Sequence, residues 1–122
     1  MKYNLKLRGE IERFRNYVII VEGRKDISSL KAVGFERVYA IHNIGIPLKE
    51  RIEQIILEVE KKDKVCILTD FDKQGKKLYI MLKKEFQELG VRVDSTLRGI
   101  LIKSGISHIE GLYQFIKKIE RI

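Results

Sequence analysis

Three acidic residues lie where two apolar segments of the chain end. Asp70 and Asp72 close the segment "KVCILTDFD", and Glu22 lies near the end of "YVIIVEG". Three carboxylates brought together repel one another and raise each other's pKa unless a cation neutralises them. The two histidines, His42 and His108, are interpreted as a surface loop residue and a structural residue, which leaves only oxygen ligands. Oxygen ligands favour Mg²⁺, with Mn²⁺ as a substitute, so the sequence predicts a magnesium site held by these three acids.

The segments between the acids predict how the acids come together. Four short apolar runs read as strands, at residues 17–23, 37–41, 64–70 and 91–94. Apolar residues at helical spacing separate them, and such alternation predicts parallel strands joined by right-handed crossovers. We therefore expect an α/β fold: a Rossmann-like open parallel sheet of about four strands with helices on both faces. Ligands bind such sheets at the carboxyl ends of the strands, where Glu22 would face Asp70 if the first and third strands are neighbours.

Glycines and apolar stripes predict the helix boundaries. Two helices are expected to end in the left-handed conformation, at Gly34 and Gly90. Further helices are expected at residues 4–15 and 107–121, whereas residues 95–104 fit either a helix or a strand. The helix before Gly90 is expected to bury one stripe of apolar side chains: Leu78, Met81, Leu82, Phe86 and Leu89.

Composition limits the class of protein. The 122 residues carry a net charge of +8 and a sequence pI near 9.6, which favours a polyanionic partner such as nucleic acid. A Lys- and Glu-rich surface of a heat-adapted protein explains the same excess. No apolar run approaches the roughly 20 residues of a membrane-spanning helix, and the single cysteine, Cys66, cannot form an internal disulfide. We expect one cytoplasmic domain over residues 1–122, with no membrane contact.

Residues beside the acids suit contacts with phosphate. Gly23 and Gly75 lie where helices begin, so that a phosphate could approach the backbone closely. Arg24 and Lys25 lie at the same rim after the first strand, and Lys73 lies there after the third. The helix after the third strand is strongly basic, and its lysines form either a solvated face or a phosphate track: Lys73, Lys76, Lys77, Lys83 and Lys84.

The two acidic segments together resemble the Toprim domain, a catalytic module of primases, topoisomerases and ribosomal-RNA maturation nucleases. "VIIVEGRKD" followed by "ILTDFDKQGKKL" is similar in order and setting to the two motifs of that family. The similarity covers residues 17–94, which leaves an N-terminal helix at 1–15 and a C-terminal helical extension at 95–122 outside this core. Gly45 stands where the family often has a glycine, as a further phosphate contact. The chain most resembles the small, free-standing Toprim proteins of archaea and bacteria.

This resemblance implies a Toprim fold and a site with two roles. The glutamate of the family acts as a general acid or base in nucleotidyl transfer or strand cleavage, so Glu22 is the implied catalytic residue. The aspartates of the family coordinate Mg²⁺. By this resemblance Glu22 and Asp70 would share one ion, and Asp70 and Asp72 would hold a second.

The resemblance leaves the reaction open. Type IA topoisomerases continue the aspartate motif with glutamates where this chain has Gln74 and Lys76, and they also need a tyrosine on a separate domain. A nuclease or nucleotidyl transferase acting on DNA or RNA is implied. The alternative is a non-catalytic metal- and nucleic-acid-binding module, or a subunit of a larger complex with a protein partner. A phosphatase of the haloacid dehalogenase type also places Asp-x-Asp after a strand, but its motif continues differently from Lys73, and the acids could instead merely cap strands.

Overall fold

The computed structural model describes residues 6–120 and has one parallel four-stranded sheet in the order β2-β1-β3-β4. The strands are β1 (Val18–Val21), β2 (Val38–Ala40), β3 (Lys64–Ile67) and β4 (Arg92–Val93). The α-helices are α1 (Leu7–Glu12), α2 (Arg24–Val33), α3 (Leu48–Leu57), α4 (Lys73–Glu88), α5 (Thr96–Lys103) and α6 (Leu112–Glu120), and a 3₁₀ turn, η1 (Ile109–Gly111), precedes α6. The predicted α/β fold with a parallel sheet is confirmed. The outer ends of the two terminal helices that we predicted lie outside the described residues.

Both faces of the sheet are covered by helices. Side chains alternate along a strand, so Ile19 and Cys66 point to one face while Ile20 and Ile67 point to the other. The first face packs against α1, α2, α5 and α6, and the second against α3 and α4. This double burial explains why the strands are apolar at every position instead of every second one. It also raises the pKa of the buried Cys66 thiol to about 12, which is consistent with a core residue.

The two central strands end before the acidic residues. β1 ends at Val21 and β3 at Ile67, and one further backbone hydrogen bond, from Leu68 N to the carbonyl of Ile20, continues the pairing. The third strand was predicted over residues 64–70, so the prediction that it includes Asp70 was wrong. Asp70 and Asp72 both lie in the segment between β3 and α4, and this segment can turn each side chain separately.

The helix boundaries agree with the sequence in part. Gly34 and Gly90 have φ of 115° and 85°, as the predicted left-handed helix ends require. The ambiguous residues 95–104 contain a helix, α5. The predicted final helix is divided, because η1 turns the chain before α6 begins. No helix in the described part of the chain is long and apolar enough to cross a membrane.

The predicted apolar stripe of α4 was too wide. Leu82 and Phe86 are fully buried against the sheet, whereas Met81 is 37% and Leu89 51% exposed. A helix lying on a sheet buries one narrow face, and residues at the border of that face remain in contact with solvent.

The strand order creates a crevice between β1 and β3. The two strands are neighbours, yet α2 leaves β1 toward one face of the sheet and α4 leaves β3 toward the other. The loops that begin after these strands therefore diverge. Open parallel sheets bind ligands at such a point, and here Glu22 and Asp70 lie on its two sides.

Candidate metal centre

Glu22 and Asp70 meet across the crevice. Ile20 pairs with Ile67 in register, so the residues that follow the two strands run on adjacent paths. The carboxyl group of Glu22 lies close enough to that of Asp70 to be affected by its charge. Among the described residues, however, the group with ligand atoms within 4.8 Å of one another comprises Asp70, Asp72 and His108, and not Glu22. Burial of Glu22, then its hydrogen bond with Asp70 and the negative charge of Asp70, raise the pKa of Glu22 to about 7. Burial beside a negative charge disfavours the ionised form of Glu22, and a cation bound here would favour it.

The side chain of Asp70 is hydrogen-bonded to a residue in the C-terminal part of the chain. Its Oδ1 accepts a hydrogen bond from the backbone N–H of Ile109, at 2.9 Å. One residue further, the N–H of Phe71 donates to the carbonyl of Ser107 at 3.0 Å. The loop that carries the aspartates and the segment before η1 are thus bonded to each other at two points.

Asp72 is the N-cap of α4. Its Oδ1 accepts a hydrogen bond from Gly75 N at 2.8 Å, which satisfies one free N–H of the first helical turn. The Oδ2 atom lies 3.9 Å from Nε2 of His108. Ligand atoms of Asp70, Asp72 and His108 all lie within 4.8 Å of one another. The two aspartates come together in the loop between β3 and α4, where Asp72 caps the helix.

His108 is a site residue that the sequence did not reveal. We interpreted it as structural, yet its side chain is 54% exposed and faces Asp72. Its contact with Asp72 joins residues far apart in the chain, and no short motif marks it. Only the packing of the segment before η1 against the aspartate loop brings the ring there.

Arg98 on α5 is the second residue that the sequence did not reveal. Its side chain is buried, with Nη1 donating to the carbonyl of Thr69 at 2.8 Å and Nη2 to that of Asp70 at 3.3 Å. The guanidinium also lies over the Tyr79 ring, 4.2 Å from its centroid. Arg98 therefore fixes the backbone from which Asp70 projects. An arginine within the otherwise apolar "TLRGILI" was the available signal.

Gly75 is required by packing at the start of α4. A Cβ at this position would collide with the backbone carbonyl of Asp70. Thr69 Oγ1 donates to the Gly75 carbonyl at 2.6 Å, and the Gly75 N–H is bonded to Asp72. The glycine lets α4 begin directly against the aspartate loop, and its predicted contact with phosphate remains a prediction.

Gly23 and Gly45 have different surroundings. Gly23 is the N-cap of α2 with extended backbone, and an added Cβ would meet nothing within 4 Å. Its N–H donates to Oδ2 of Asp26 at 3.0 Å. Gly45 has φ of 80° in an exposed turn after β2, closed by a bridge between Asn43 and Ile46. The turn explains Gly45, whereas the protein's own packing does not require a glycine at Gly23.

The charged residues around the crevice are of both signs. Arg24 and Lys25 open α2, Lys73 opens α4, and all three are exposed, as expected of residues available for phosphate. Asp26 adds a fourth acid, which the two sequence motifs did not assign to the site. Its side chain is buried, and this burial raises its pKa against the opposing hydrogen bond from Gly23.

The donor set fits a divalent cation of the Mg²⁺ type. Asp70 and Asp72 offer oxygens close enough for one ion or two neighbouring ions, and Glu22 lies beside Asp70 across the crevice. Carboxylate oxygens are the ligands that Mg²⁺ prefers. A cation bound between Glu22 and Asp70 would remove the repulsion between their charges.

Comparison with known proteins identifies the family. A model of the Toprim domain matches residues 16–96, a range that includes all three acids and excludes His108. A UPF0292 protein of Methanocaldococcus jannaschii is 35% identical over 103 residues, which cover 82% of this chain and 78% of the relative. A UPF0292 protein of Methanosarcina barkeri is 32% identical over 110 residues, covering 86% of this chain and 73% of the relative.

A nuclease and a solved structure are also similar. Ribonuclease M5 of Mesoplasma florum is 36% identical over 63 residues, which are 52% of this chain but 36% of that protein. A solved structure described as a putative protein from Aquifex aeolicus superposes with a TM-score of 0.72 at 28% identity, covering 90% of this chain and 98% of that one. The resemblance inferred from the two motifs is confirmed. The chain belongs to the Toprim domain family and, within it, to the UPF0292 proteins.

Proposed function

We propose that this chain is a Mg²⁺-dependent protein that acts on nucleic-acid phosphodiesters, as a nuclease or a nucleotidyl transferase. The observation that carries the proposal is that ligand atoms of Asp70 and Asp72 lie within 4.8 Å of each other at the crevice of a Toprim sheet, where Glu22 follows the neighbouring strand. The match to a protein named Ribonuclease M5 and the net charge of +8 support nucleic acid as the substrate.

In this proposal the three acids hold the cations. Glu22 and Asp70 bind one ion, Asp70 and Asp72 bind a second, and Mn²⁺ can substitute for Mg²⁺. When bound, such ions neutralise the scissile phosphate and activate the attacking water or hydroxyl group.

The acids differ in what they do for the reaction. Asp70 and Asp72 each use one oxygen for a backbone N–H, of Ile109 and Gly75, which fixes the position of the carboxylate. Glu22 is the proposed general acid or base. A pKa of about 7 lets this group both accept and release a proton near neutral pH.

The basic residues at the rim are proposed to contact the nucleic-acid backbone. Arg24, Lys25 and Lys73 are exposed in the first turns of the two helices that leave the crevice. The open space at Gly23 leaves room for a phosphate beside them. Cations in this position attract the phosphates and place the scissile bond near Glu22.

The second candidate is a non-catalytic module that binds a metal ion and nucleic acid. It is favoured by the structural use of both aspartates: Asp72 caps α4 and Asp70 anchors Ile109. On this alternative the same residues bind an ion and a nucleic acid, and no bond is cleaved.

Calorimetric titration with Mg²⁺ and Mn²⁺ tests the proposal, followed by incubation with labelled single-stranded and structured RNA and DNA. The variants are Asp70→Asn with Asp72→Asn, and Glu22→Gln. Asparagine keeps the oxygens that accept from Ile109 and Gly75, so the fold is maintained. Glu60→Gln is the matched control. Glu60 is an exposed acid that precedes β3, at the end of the strands opposite the crevice.

We expect the wild type and Glu60→Gln to bind the ion and cleave. The double asparagine variant should lose both properties, and Glu22→Gln should lose cleavage while still binding nucleic acid. Ion and nucleic-acid binding without cleavage would support the non-catalytic module. A wild type that binds neither ion would overturn the proposal.

A further inference from the structure

We propose that His108 is a ligand of this cation site and shifts its preference from Mg²⁺ toward a divalent transition-metal ion, for which Mn²⁺ is the probe. The inference rests on the proposed function, because it uses the same aspartates. It goes further in assigning a nitrogen ligand from outside residues 16–96, the range that the Toprim family accounts for.

The spacing of the donor atoms suits a shared ion. Two atoms bound at about 2.1 Å to one octahedral ion lie about 3.0 Å apart when adjacent and about 4.2 Å apart when opposite. Nε2 of His108 and Oδ2 of Asp72 are 3.9 Å apart, which falls within this range. Ligand atoms of Asp70, Asp72 and His108 lie within 4.8 Å of one another, and the exposed imidazole is free of the packing that would prevent it from turning toward an ion.

The imidazole is oriented by its other nitrogen. Nδ1 of His108 is hydrogen-bonded to Oγ of Ser107 at 2.9 Å, which leaves Nε2 facing Asp72. Histidine ligands of metals are typically held in this way, with a second partner fixing which nitrogen binds.

The backbone on both sides of His108 is attached to the aspartate loop. The carbonyl of Ser107 accepts from Phe71 N, and the N–H of Ile109 donates to Asp70. Three consecutive residues therefore follow the loop that carries Asp70 and Asp72. These bonds hold the backbone of His108 close to the two aspartates, even though its side chain is exposed.

Stability does not account for the pairing of His108 with Asp72. Both side chains are about half exposed, and an ion pair of this kind contributes little to stability. Binding of a shared ion would explain why Nε2 of His108 lies close to the Asp72 carboxylate. Mg²⁺ takes oxygen ligands and keeps its water molecules, whereas transition-metal ions accept imidazole nitrogen beside carboxylates.

Ion titration of the full chain tests this inference with His108→Gln, and His42→Gln serves as the matched control. His42 is the other histidine and is also exposed, but it lies after β2 and outside the group of potential ligands. We expect His108→Gln to lower the affinity for Mn²⁺ by about 10-fold or more, with little change for Mg²⁺. His42→Gln should bind both ions as the wild type does, and all three proteins should unfold at the same temperature.

Pulsed electron paramagnetic resonance of the Mn²⁺-loaded proteins gives a second readout that does not depend on activity. We expect a ¹⁴N coupling from imidazole in the wild type and in His42→Gln, and its loss in His108→Gln. An unchanged Mn²⁺ affinity in His108→Gln, or no ¹⁴N coupling in the wild type, would overturn the role of His108. If Asp70→Asn with Asp72→Asn nevertheless abolishes ion binding, the proposed function stands without this histidine. If the wild type binds neither ion, the proposed function itself fails.

Discussion

The segments after β1 and β3 carry the three acids of the proposed site, but the two segments are held very differently. After β3, Arg98 donates hydrogen bonds to backbone carbonyls, and Asp70 accepts one from the N–H of Ile109. In addition, Asp72 caps α4 and Gly75 packs against the loop. After β1, the space beside Gly23 is open and the next two side chains are exposed.

This difference separates positioning from proton transfer. Each aspartate carboxylate accepts one backbone hydrogen bond, from Ile109 or Gly75, as suits groups proposed to hold an ion at a constant place. Glu22 is partly buried and has its pKa raised to about 7, as suits a group proposed to exchange protons. Substitutions matched between the two segments measure how differently they are held.

The largest effect on stability is expected from replacing Arg98. Arg98→Leu removes a buried donor and leaves the carbonyls of Ile67 and Thr69 without it, at a cost of about 3 kcal/mol or more in the free energy of unfolding. Arg24→Leu, in the segment after β1, should change stability by less than about 0.5 kcal/mol, since Arg24 is exposed. Urea-induced unfolding measures both. Equal losses in the two variants would show that the segments are held alike.

Alanine at the two glycines should give a smaller difference in the same direction. Gly75→Ala forces a methyl group into the Asp70 carbonyl and should destabilise the protein by about 1–3 kcal/mol. Gly23→Ala meets open space on an extended backbone and should leave the free energy of unfolding within about 0.5 kcal/mol of wild type. A stable Gly75→Ala protein with unchanged ion affinity would contradict the packing role of this glycine.

The raised pKa of Glu22 should make the stability of the metal-free protein depend on pH. The folded protein keeps the Glu22 proton up to a pKa of about 7, while the unfolded chain releases it near pH 4.3. The stabilising contribution is therefore complete below pH 4.3 and is lost as pH rises through 7. Glu22→Gln cannot lose a proton, so its stability should increase relative to wild type between pH 5 and 8. Denaturant unfolding at several pH values, with Glu60→Gln as control, measures this difference, and parallel curves for wild type and Glu22→Gln would refute it.

The smallest expected effect concerns the basic rim. Lys73→Gln removes one proposed phosphate contact and should lower the salt dependence of nucleic-acid binding by about one unit of slope. Lys61 precedes β3, at the end of the strands opposite the crevice, so Lys61→Gln should leave the slope unchanged. Titrations at several salt concentrations measure the slope. Equal slopes for the two variants would remove Lys73 from the interface.

Local sequence patterns predicted the framework of the fold well. The apolar runs around Ile20 and Ile67 identify buried strands because both faces of the sheet are covered, and Gly34 and Gly90 mark helix ends because few other residues adopt positive φ. The meeting of Glu22 with Asp70 followed from parallel strands alone, once β1 and β3 were neighbours.

Contacts between distant parts of the chain were not predictable in the same way. Arg98 approaches the carbonyls after β3 from α5, in a region whose pattern suited either a helix or a strand. His108 reaches Asp72 because the segment before η1 packs on the aspartate loop. Asp72 was predicted as a metal ligand beyond the end of a strand, and its capping of α4 depends on where the helix begins.

The location of a bound ion decides whether the three acids form a metal site. Crystals of the wild-type protein grown with Mn²⁺ would be measured at the manganese absorption edge, where anomalous scattering marks the ion. We predict anomalous density at the crevice between β1 and β3, in contact with carboxylate oxygens of Glu22, Asp70 and Asp72. Density elsewhere, or none at this crevice under saturating Mn²⁺, would contradict the account and leave these acids as caps of strands and helices.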